Sequence, residues 1–458
     1  MILINGTPLD AAGSPPDFRV PNLYEPSHAD RSDHLRHALE RLHHEHRFAR
    51  IEFGNLGGLA LRAIQAKRAG LAFEDVTLAV RLDACSRWLR EREQRWPSGY
   101  EEVEIDYAER FAFEDADEQV TPDAELLEFV RRIGWCWRAG GVSPLFSEKE
   151  TGGSRPPLAK SLITVGIAHY NLGAHLPDTL ASLAAQTYPN LEVLVVDDGS
   201  TDPHSVAVFE QMQQRYPRFR FLRQSNAGIG ATRNRCLELA SGEFFIPVDA
   251  DNLARPHMVE RFVRAITRNP HLAAMTCYFL AFEDATPDRF LFACRPTGGP
   301  HVLASIRNVY GDANAIFRTA EFRAAGGYQT DRGTSCEDWE AFVKLVHTGR
   351  RIGVIPEHLF YYRHRPAGFS RKTDWFANHQ RVLRQFTRGG PLAADEADVL
   401  WTALLGFHQR LQELENARPP LRHRVADGIH AVLGRVPWAA GLRRAMTAVG
   451  RPFRRSRH

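Results

Sequence analysis

Hydrophobic periodicity is weak at the start of the chain and becomes regular after about residue 30. Residues 1–30 are rich in Pro, Asp and Ser and read as irregular. Over 33–48, Leu35, Leu39 and Leu42 recur on one face of a predicted helix. Short apolar runs at 50–53, 76–82 and 118–121 predict strands. Helical patterns at 59–69, 86–94, 106–116 and 123–133 fall between and after them. Alternating β and α elements argue for a Rossmann-like layer. Ala139-Gly140-Gly141 and Thr151-Gly152-Gly153-Ser154-Arg155-Pro156-Pro157 then bracket a polar stretch. Gly and Pro at that density resist packing and mark a linker.

A second alternation begins at residue 161. The continuous apolar run 162–168 has the character of a strand buried on both faces, and it leads into His169-Tyr170-Asn171. A helix is expected over 176–186. Leu194-Val195-Val196 ends abruptly in Asp197-Asp198-Gly199-Ser200. A strand at 219–223 is followed by Asn226-Ala227-Gly228-Ile229-Gly230-Ala231-Thr232-Arg233-Asn234, which opens a helix. Phe244-Phe245-Ile246-Pro247-Val248 ends in Asp249-Ala250-Asp251-Asn252. Cys336-Glu337-Asp338-Trp339-Glu340 opens a helical pattern carrying Phe342, Val343, Leu345 and Val346. Past residue 390 the pattern turns helical, with Val399, Leu400, Leu404, Leu405, Leu411 and Leu414 across 394–416. The expected division is a degenerate Rossmann-like domain over 1–137, a linker over 138–160, the main α/β domain over 161–390 and a helical, basic extension over 391–458.

Composition narrows the class. Among 458 residues, 25% are charged and 43% hydrophobic, an ordinary soluble profile. The formal net charge of +3 is unevenly placed. Arginines accumulate from Arg418 to His458, with Asp427 the lone acid there, so the rest of the chain is mildly acidic. Hydrophobic residues interleave with Arg435, Arg443 and Arg444, as in a helix lying on an anionic membrane surface. The cysteines at 85, 136, 236, 277, 294 and 336 form no Cys-x-x-Cys pair and read as reduced thiols. No apolar stretch approaches the roughly 18 residues of a spanning helix. Met1-Ile2-Leu3-Ile4-Asn5-Gly6 lacks a basic region before an apolar core, against a signal peptide. A cytoplasmic protein, peripheral at the inner face of the membrane through its tail, is the expectation, with no nucleic-acid partner.

The acidic clusters carry the chemistry. Asp249 and Asp251 stand one residue apart at a strand end and need a counter-charge. Mg²⁺ or Mn²⁺ takes oxygen ligands from one or two carboxylates and completes its shell with phosphate and water. Asp197-Asp198 lies where open α/β sheets bind ligands, at the carboxyl end of a strand. Gly228 and Gly230 let a ligand approach the backbone at a helix N-terminus that favours anions. Glu337 and Asp338 sit in a first helical turn, where acidic residues also serve simply to complement the helix dipole.

Taken in order, these motifs resemble the family-2 glycosyltransferases, inverting, metal-dependent enzymes of GT-A fold that use nucleotide-sugar donors. The resemblance covers residues 161 to about 365. It implies a mixed, mainly parallel sheet in the central domain. It places Tyr170 and Asn171 beside the nucleotide base, with Asp198 accepting the base imino N–H and Asp197 orienting it. It puts Gly228 and Arg233 near the nucleotide, Asp249 on the ribose and Asp251 on Mn²⁺ or Mg²⁺. Asp338 becomes the general base, with Glu337 as its neighbour and substitute. The basic, aromatic run from Phe360 to Lys372, expected after the last sheet element, is a candidate lid on the diphosphate, and His364 a candidate third metal ligand. The acceptor is a hydroxyl on a glycan, a lipid-linked intermediate or a protein, in glycan or cell-surface polysaccharide synthesis.

Gly54-Asn55-Leu56-Gly57-Gly58 and the segments 77–82 and 108–122 are also similar to the acceptor-side half of GT-B-type glycosyltransferases, without the nucleotide-binding half. Two other classes fit the motifs less well. A nucleotidyltransferase needs a Gly-rich, Arg- and Lys-bearing loop after the first strand, and His169-Tyr170-Asn171-Leu172-Gly173 is not one. A non-catalytic nucleotide-sugar-binding or scaffold protein would not need Asp251 and Asp338 intact.

Overall fold

The computed structural model describes residues 3–4, 7–8, 27–138, 161–365, 368 and 372–387. The expected linker, apart from its first residue, and the expected extension over 391–458 lie outside the described residues. Everything described below falls within the compact unit Met1–Gly390.

The short pairing of β1 (Leu3–Ile4) with β2 (Thr7–Pro8) precedes the N-terminal layer. That layer runs α1 (Ser27–His46), β3 (Arg50–Gly54), α2 (Leu61–Arg68), β4 (Thr77–Arg81), α3 (Ser86–Arg92), α4 (Tyr100–Asp115), β5 (Glu118–Val120) and α5 (Ala124–Arg132). Strands β3, β4 and β5 pair in parallel, so each connection must cross over through helices. Asp123 caps α5 by accepting from the N–H groups of Glu125 at 2.8 Å and Leu126 at 3.1 Å. Helix α4 begins six residues before the apolar pattern at 106 suggested, because its first turn is polar: Glu101 and Glu102 face the N-terminus of the helix.

The central layer runs β6 (Ile163–His169), α6 (Leu176–Ala184), β7 (Leu191–Asp197), α7 (Pro203–Arg215), β8 (Arg220–Arg223), α8 (Ile229–Leu239), β9 (Phe244–Asp249), β10 (Leu253–Ala254) and α9 (Met258–Arg268). It continues with β11 (Leu272–Glu283), β12 (Thr286–Cys294), β13 (Ile316–Arg318), α10 (Thr319–Ala324), α11 (Glu337–His347), β14 (Arg351–His364) and α12 (Trp375–Thr387). Among the described residues these strands form a nine-stranded sheet ordered β10-β14-β11-β13-β9-β6-β7-β8, with β12 on β11. The run β9-β6-β7-β8 is parallel. Strand β13 enters antiparallel between β9 and β11. The outcome is the mixed, mainly parallel α/β sheet that the sequence predicts.

Two particulars differ from the sequence expectation. The first residues of the segment expected after the last sheet element belong to it: β14 runs through to His364 and pairs with β11 as far as Glu283, while residues 366–367 and 369–371 of that segment lie outside the described residues. Charged Arg363 and His364 hid the strand because a strand end can project polar groups while its backbone stays in the ladder. The N-terminal layer is also tied to the central one. The fully buried Arg62 guanidinium donates to the carbonyls of Pro296 at 2.9 Å and Arg295 at 3.1 Å, and lies over the Tyr278 ring. Gly298 and Gly299 pass against Tyr107 of α4, where an added Cβ at Gly299 would fall 2.5 Å from the ring. No helix of the described residues is long and apolar enough to cross a membrane.

Candidate active site

Strands β6, β7 and β9 end side by side, so their carboxyl ends present His169, Asp197-Asp198 and Asp249 along one edge. Asp197 is buried. Burial favours its neutral form, but hydrogen bonds from His169 at 2.9 Å and from Ser200 outweigh it, and its carboxyl lies below the usual range. Arg223 adds a contact at 3.1 Å. Asp197 therefore braces the strand end.

Asp198 shapes the glycine loop. Its Oδ1 accepts from Gln224 Nε2 and the Ala227 N–H, and its Oδ2 from the Gly228 N–H, all at 2.8 Å. A carboxylate has about four lone-pair sites, so a base imino N–H still has room on Oδ2. Gly228 has φ +93° and Gly199 φ +71°, the left-handed region open to glycine. Asn171 also has positive φ. Its side-chain oxygen accepts from the N–H groups of Thr201 and Asp202, both at 2.9 Å, which holds the two loops together. Tyr170 is 44% exposed beside them, free of the core.

Arg233 leaves α8 pointing inward and is buried. It donates to Glu337 Oε1 at 2.5 Å and to Asp249 Oδ1. Burial alone would lower its pKa, but Asp249 and then Glu337 hold it well above the ordinary value. Nearby, Asn234 grips Tyr328 by both backbone groups at 2.8 Å, which fixes the Gly326-Gly327-Tyr328 turn against α8. The first turn of α11 is thereby anchored to α8. Trp339 faces away: its Nε1 donates to the Ala304 carbonyl at 2.8 Å inside the core.

Four carboxylates gather in front of this frame. Burial, followed by the charges of Asp312, Asp249, Asp251 and Asp338, pushes the Tyr362 hydroxyl up, so one ring senses all four. Asp338 is pushed up to about 7 by burial first and by Glu337 second, with Arg233 opposing. Asp312 is raised by burial, then by Asp249 and Asp338. Asp251 is raised by burial and Asp249 against the pull of Arg365, whose Nε and Nη2 meet Asp251 Oδ2 at 2.7 and 2.6 Å. Sequence reasoning singles out neither Asp312 nor Arg365. Their places became visible once β13 and β14 brought both to the Asp249 edge.

The donor set suits a hard divalent cation. It is all oxygen, and burial disfavours the negative forms of Asp251, Asp312 and Asp338. Among the described residues no group of three or more His, Cys, Asp or Glu side chains is placed to hold a metal ion. Mg²⁺ or Mn²⁺ held by one or two carboxylates together with a diphosphate needs no such group. His364 lies on the Tyr362 face of β14, edge-on to Phe292 at 6.1 Å, and the structure does not bring it into a ligand cluster with Asp251.

Residues 164–323 match the family model described as glycosyl transferase family 2. The chain is 40% identical over 98 residues to the uncharacterized glycosyltransferase YibD of Escherichia coli, covering 21% of this chain and 28% of that protein. It is 34% identical over 106 residues to glycosyltransferase GlyG of Streptococcus pneumoniae, covering 23% of this chain and 35% of that protein. The chain thus spans about a third or less of the length of these relatives. Among solved structures it is similar to residues 1–349 of S. aureus TarS in complex with UDP-GlcNAc, at 20% identity and TM-score 0.41, covering 52% of this chain and 69% of that one. The strand-end carboxylates and the glycine loop lie within the residues that match the glycosyl transferase family 2 model, and the acidic opening of α11 follows beyond them.

Proposed function

We propose that this protein transfers a sugar, with inversion, from a nucleotide-sugar donor to a hydroxyl acceptor, and that the transfer depends on a divalent cation. The observation that carries the reading is Asp338: a carboxyl fixed at the start of a helix, pushed up to about 7, facing Asp249 and Asp312. A general base works best when its pKa lies near the working pH. Asp338 would take the proton from the acceptor hydroxyl as that oxygen attacks the anomeric carbon from the face opposite the leaving diphosphate. Glu337 is the poorer candidate, because Arg233 already holds its Oε1.

On the donor side, Tyr170 would stack on the base, Asp198 would accept from it and Asp249 would meet the ribose. Asp251, with Mn²⁺ or Mg²⁺, would hold the diphosphate, and the cation's charge would stabilise the leaving group. Backbone N–H groups at the Gly228 end of α8 would add to that pull. The acceptor would be a glycan, a lipid-linked intermediate or a protein. A cytoplasmic location, with the arginine-rich tail on an anionic leaflet, is the placement this reading favours. A donor-hydrolysis and transfer assay across a panel of nucleotide sugars, with and without Mn²⁺, tests the whole. Turnover unchanged in excess chelator would remove the metal from the reading, and no turnover with any donor would remove the activity.

A further inference from the structure

Asp251 is the one carboxylate of the cluster held by a guanidinium through two nitrogens on a single oxygen. Arg365 Nε and Nη2 both converge on Asp251 Oδ2, at 2.7 and 2.6 Å. The contact is shielded, with side-chain exposures of 24% for Arg365 and 11% for Asp251. The carboxylate is further steadied from behind. Arg363 Nε donates to the Asp251 backbone carbonyl at 3.0 Å, and its other nitrogens reach Asp178 and Asp284, both at 3.1 Å. Arg363 thus braces the backbone behind Asp251, whereas Arg365 meets the carboxylate oxygen itself.

We infer that Arg365 is a built-in counter-ion for Asp251, one that a divalent cation must displace before it can bind. The inference rests on the assignment of Asp251 as the metal-holding carboxylate. A shared oxygen cannot serve a guanidinium and a metal ion in the same geometry. While the pair is closed, the metal site is withdrawn, and apparent affinity falls by the fraction of molecules in which it is open. A nucleoside diphosphate changes the balance, because its oxygens offer the released guanidinium a second, bidentate anionic partner. Metal and nucleotide should therefore bind with strong mutual dependence, and metal alone weakly. The pair also prevents Asp249 and Asp251 from facing each other uncompensated when no ligand is present.

The test is Mn²⁺ binding to the full-length protein, read by electron paramagnetic resonance of the free ion, with and without uridine diphosphate. R365Q should bind Mn²⁺ alone about tenfold more tightly than wild type. The same variant should lose most of the tightening that uridine diphosphate confers. R332Q is the charge-matched control, since Arg332 is exposed and contacts Asn226 rather than Asp251. An R365Q affinity for Mn²⁺ alone equal to wild type, or a gain matched by R332Q, overturns the displacement while leaving Asp251 as a ligand. D251N separates the two ideas: if it retains nucleotide-linked Mn²⁺ binding, the assignment of Asp251 itself fails.

Discussion

Arg233 Nη1 meets Glu337 Oε1 at 2.5 Å, and that contact joins the helix after the glycine loop to the helix that carries the proposed base. The same guanidinium also holds Asp249. One buried cation therefore sets the spacing between Asp249 and the opening turn of α11. The proposed nucleotide site and the proposed base are thus tied by a shared side chain rather than by separate loops.

Removing that cation strands two carboxylates. Arg233→Met should cost about 3–5 kcal/mol of folding stability, because breaking a buried ion pair leaves uncompensated charge. Arg233→Lys keeps the charge but cannot span both partners, and should lower transfer while recovering part of the stability. Urea unfolding of the two variants decides: equal midpoints for Met and wild type would show the bridge to be dispensable.

Much of this arrangement was legible in the sequence. The strand ends at Asp197 and Asp249 were marked by apolar runs stopping at carboxylates, and periodicity alone predicts such boundaries. Asp338 was visible as the acid of a helix start. What escaped was long-range. Nothing local in Gly311-Asp312-Ala313 says that β13 inserts antiparallel beside β9 and carries Asp312 to the cluster. Nothing local says that β14 extends to His364 and delivers Arg365 to Asp251. The N-terminal layer read as a separate degenerate domain because its own βα alternation is complete. The Arg62 clamp spans more than two hundred residues and leaves no local pattern.

Gly230 is where backbone meets backbone. An added Cβ would lie 2.2 Å from the Gln329 carbonyl oxygen. Gly230→Ala should therefore push the 329–332 loop off the glycine loop, costing about 1–3 kcal/mol as overpacking does. Nucleotide affinity should weaken as well, since the Gly228 N–H in this loop donates to Asp198. Isothermal calorimetry together with a denaturation curve checks both, and a variant with wild-type values in each would disprove the close approach.

The clamp between the layers predicts an effect at a distance. Arg62→Met keeps the bulk and removes the donors, leaving the Arg295 and Pro296 carbonyls unpaired at about 1–3 kcal/mol. The loop they belong to leads on to Asp312. Acceptor KM should rise while donor affinity stays near wild type. Steady-state kinetics varying each substrate in turn would expose the opposite pattern if the N-terminal layer served the donor.

Asp338 links catalysis and stability with opposite signs. Its carboxyl is raised from an ordinary value near 3.8 to about 7 by burial and by Glu337. Only the ionised form can accept a proton, so transfer should rise with pH through about 7 and then level. Stability should run the other way. A folded pKa above the unfolded one means that the native state keeps its proton over that interval. The contribution is whole below the unfolded value and is lost as pH climbs through about 7. Asp338→Asn fixes the neutral form. It should lower transfer by about 10²–10⁴ and leave nucleotide affinity nearly unchanged. It should also raise the urea midpoint of the metal-free protein at pH 8 more than at pH 5. Asn is itself a competent residue at a helix start, so a purely structural Asp338 would leave turnover close to normal. Near-normal turnover in Asp338→Asn, with its pH profile intact, would take the base away from Asp338 and return it to Glu337.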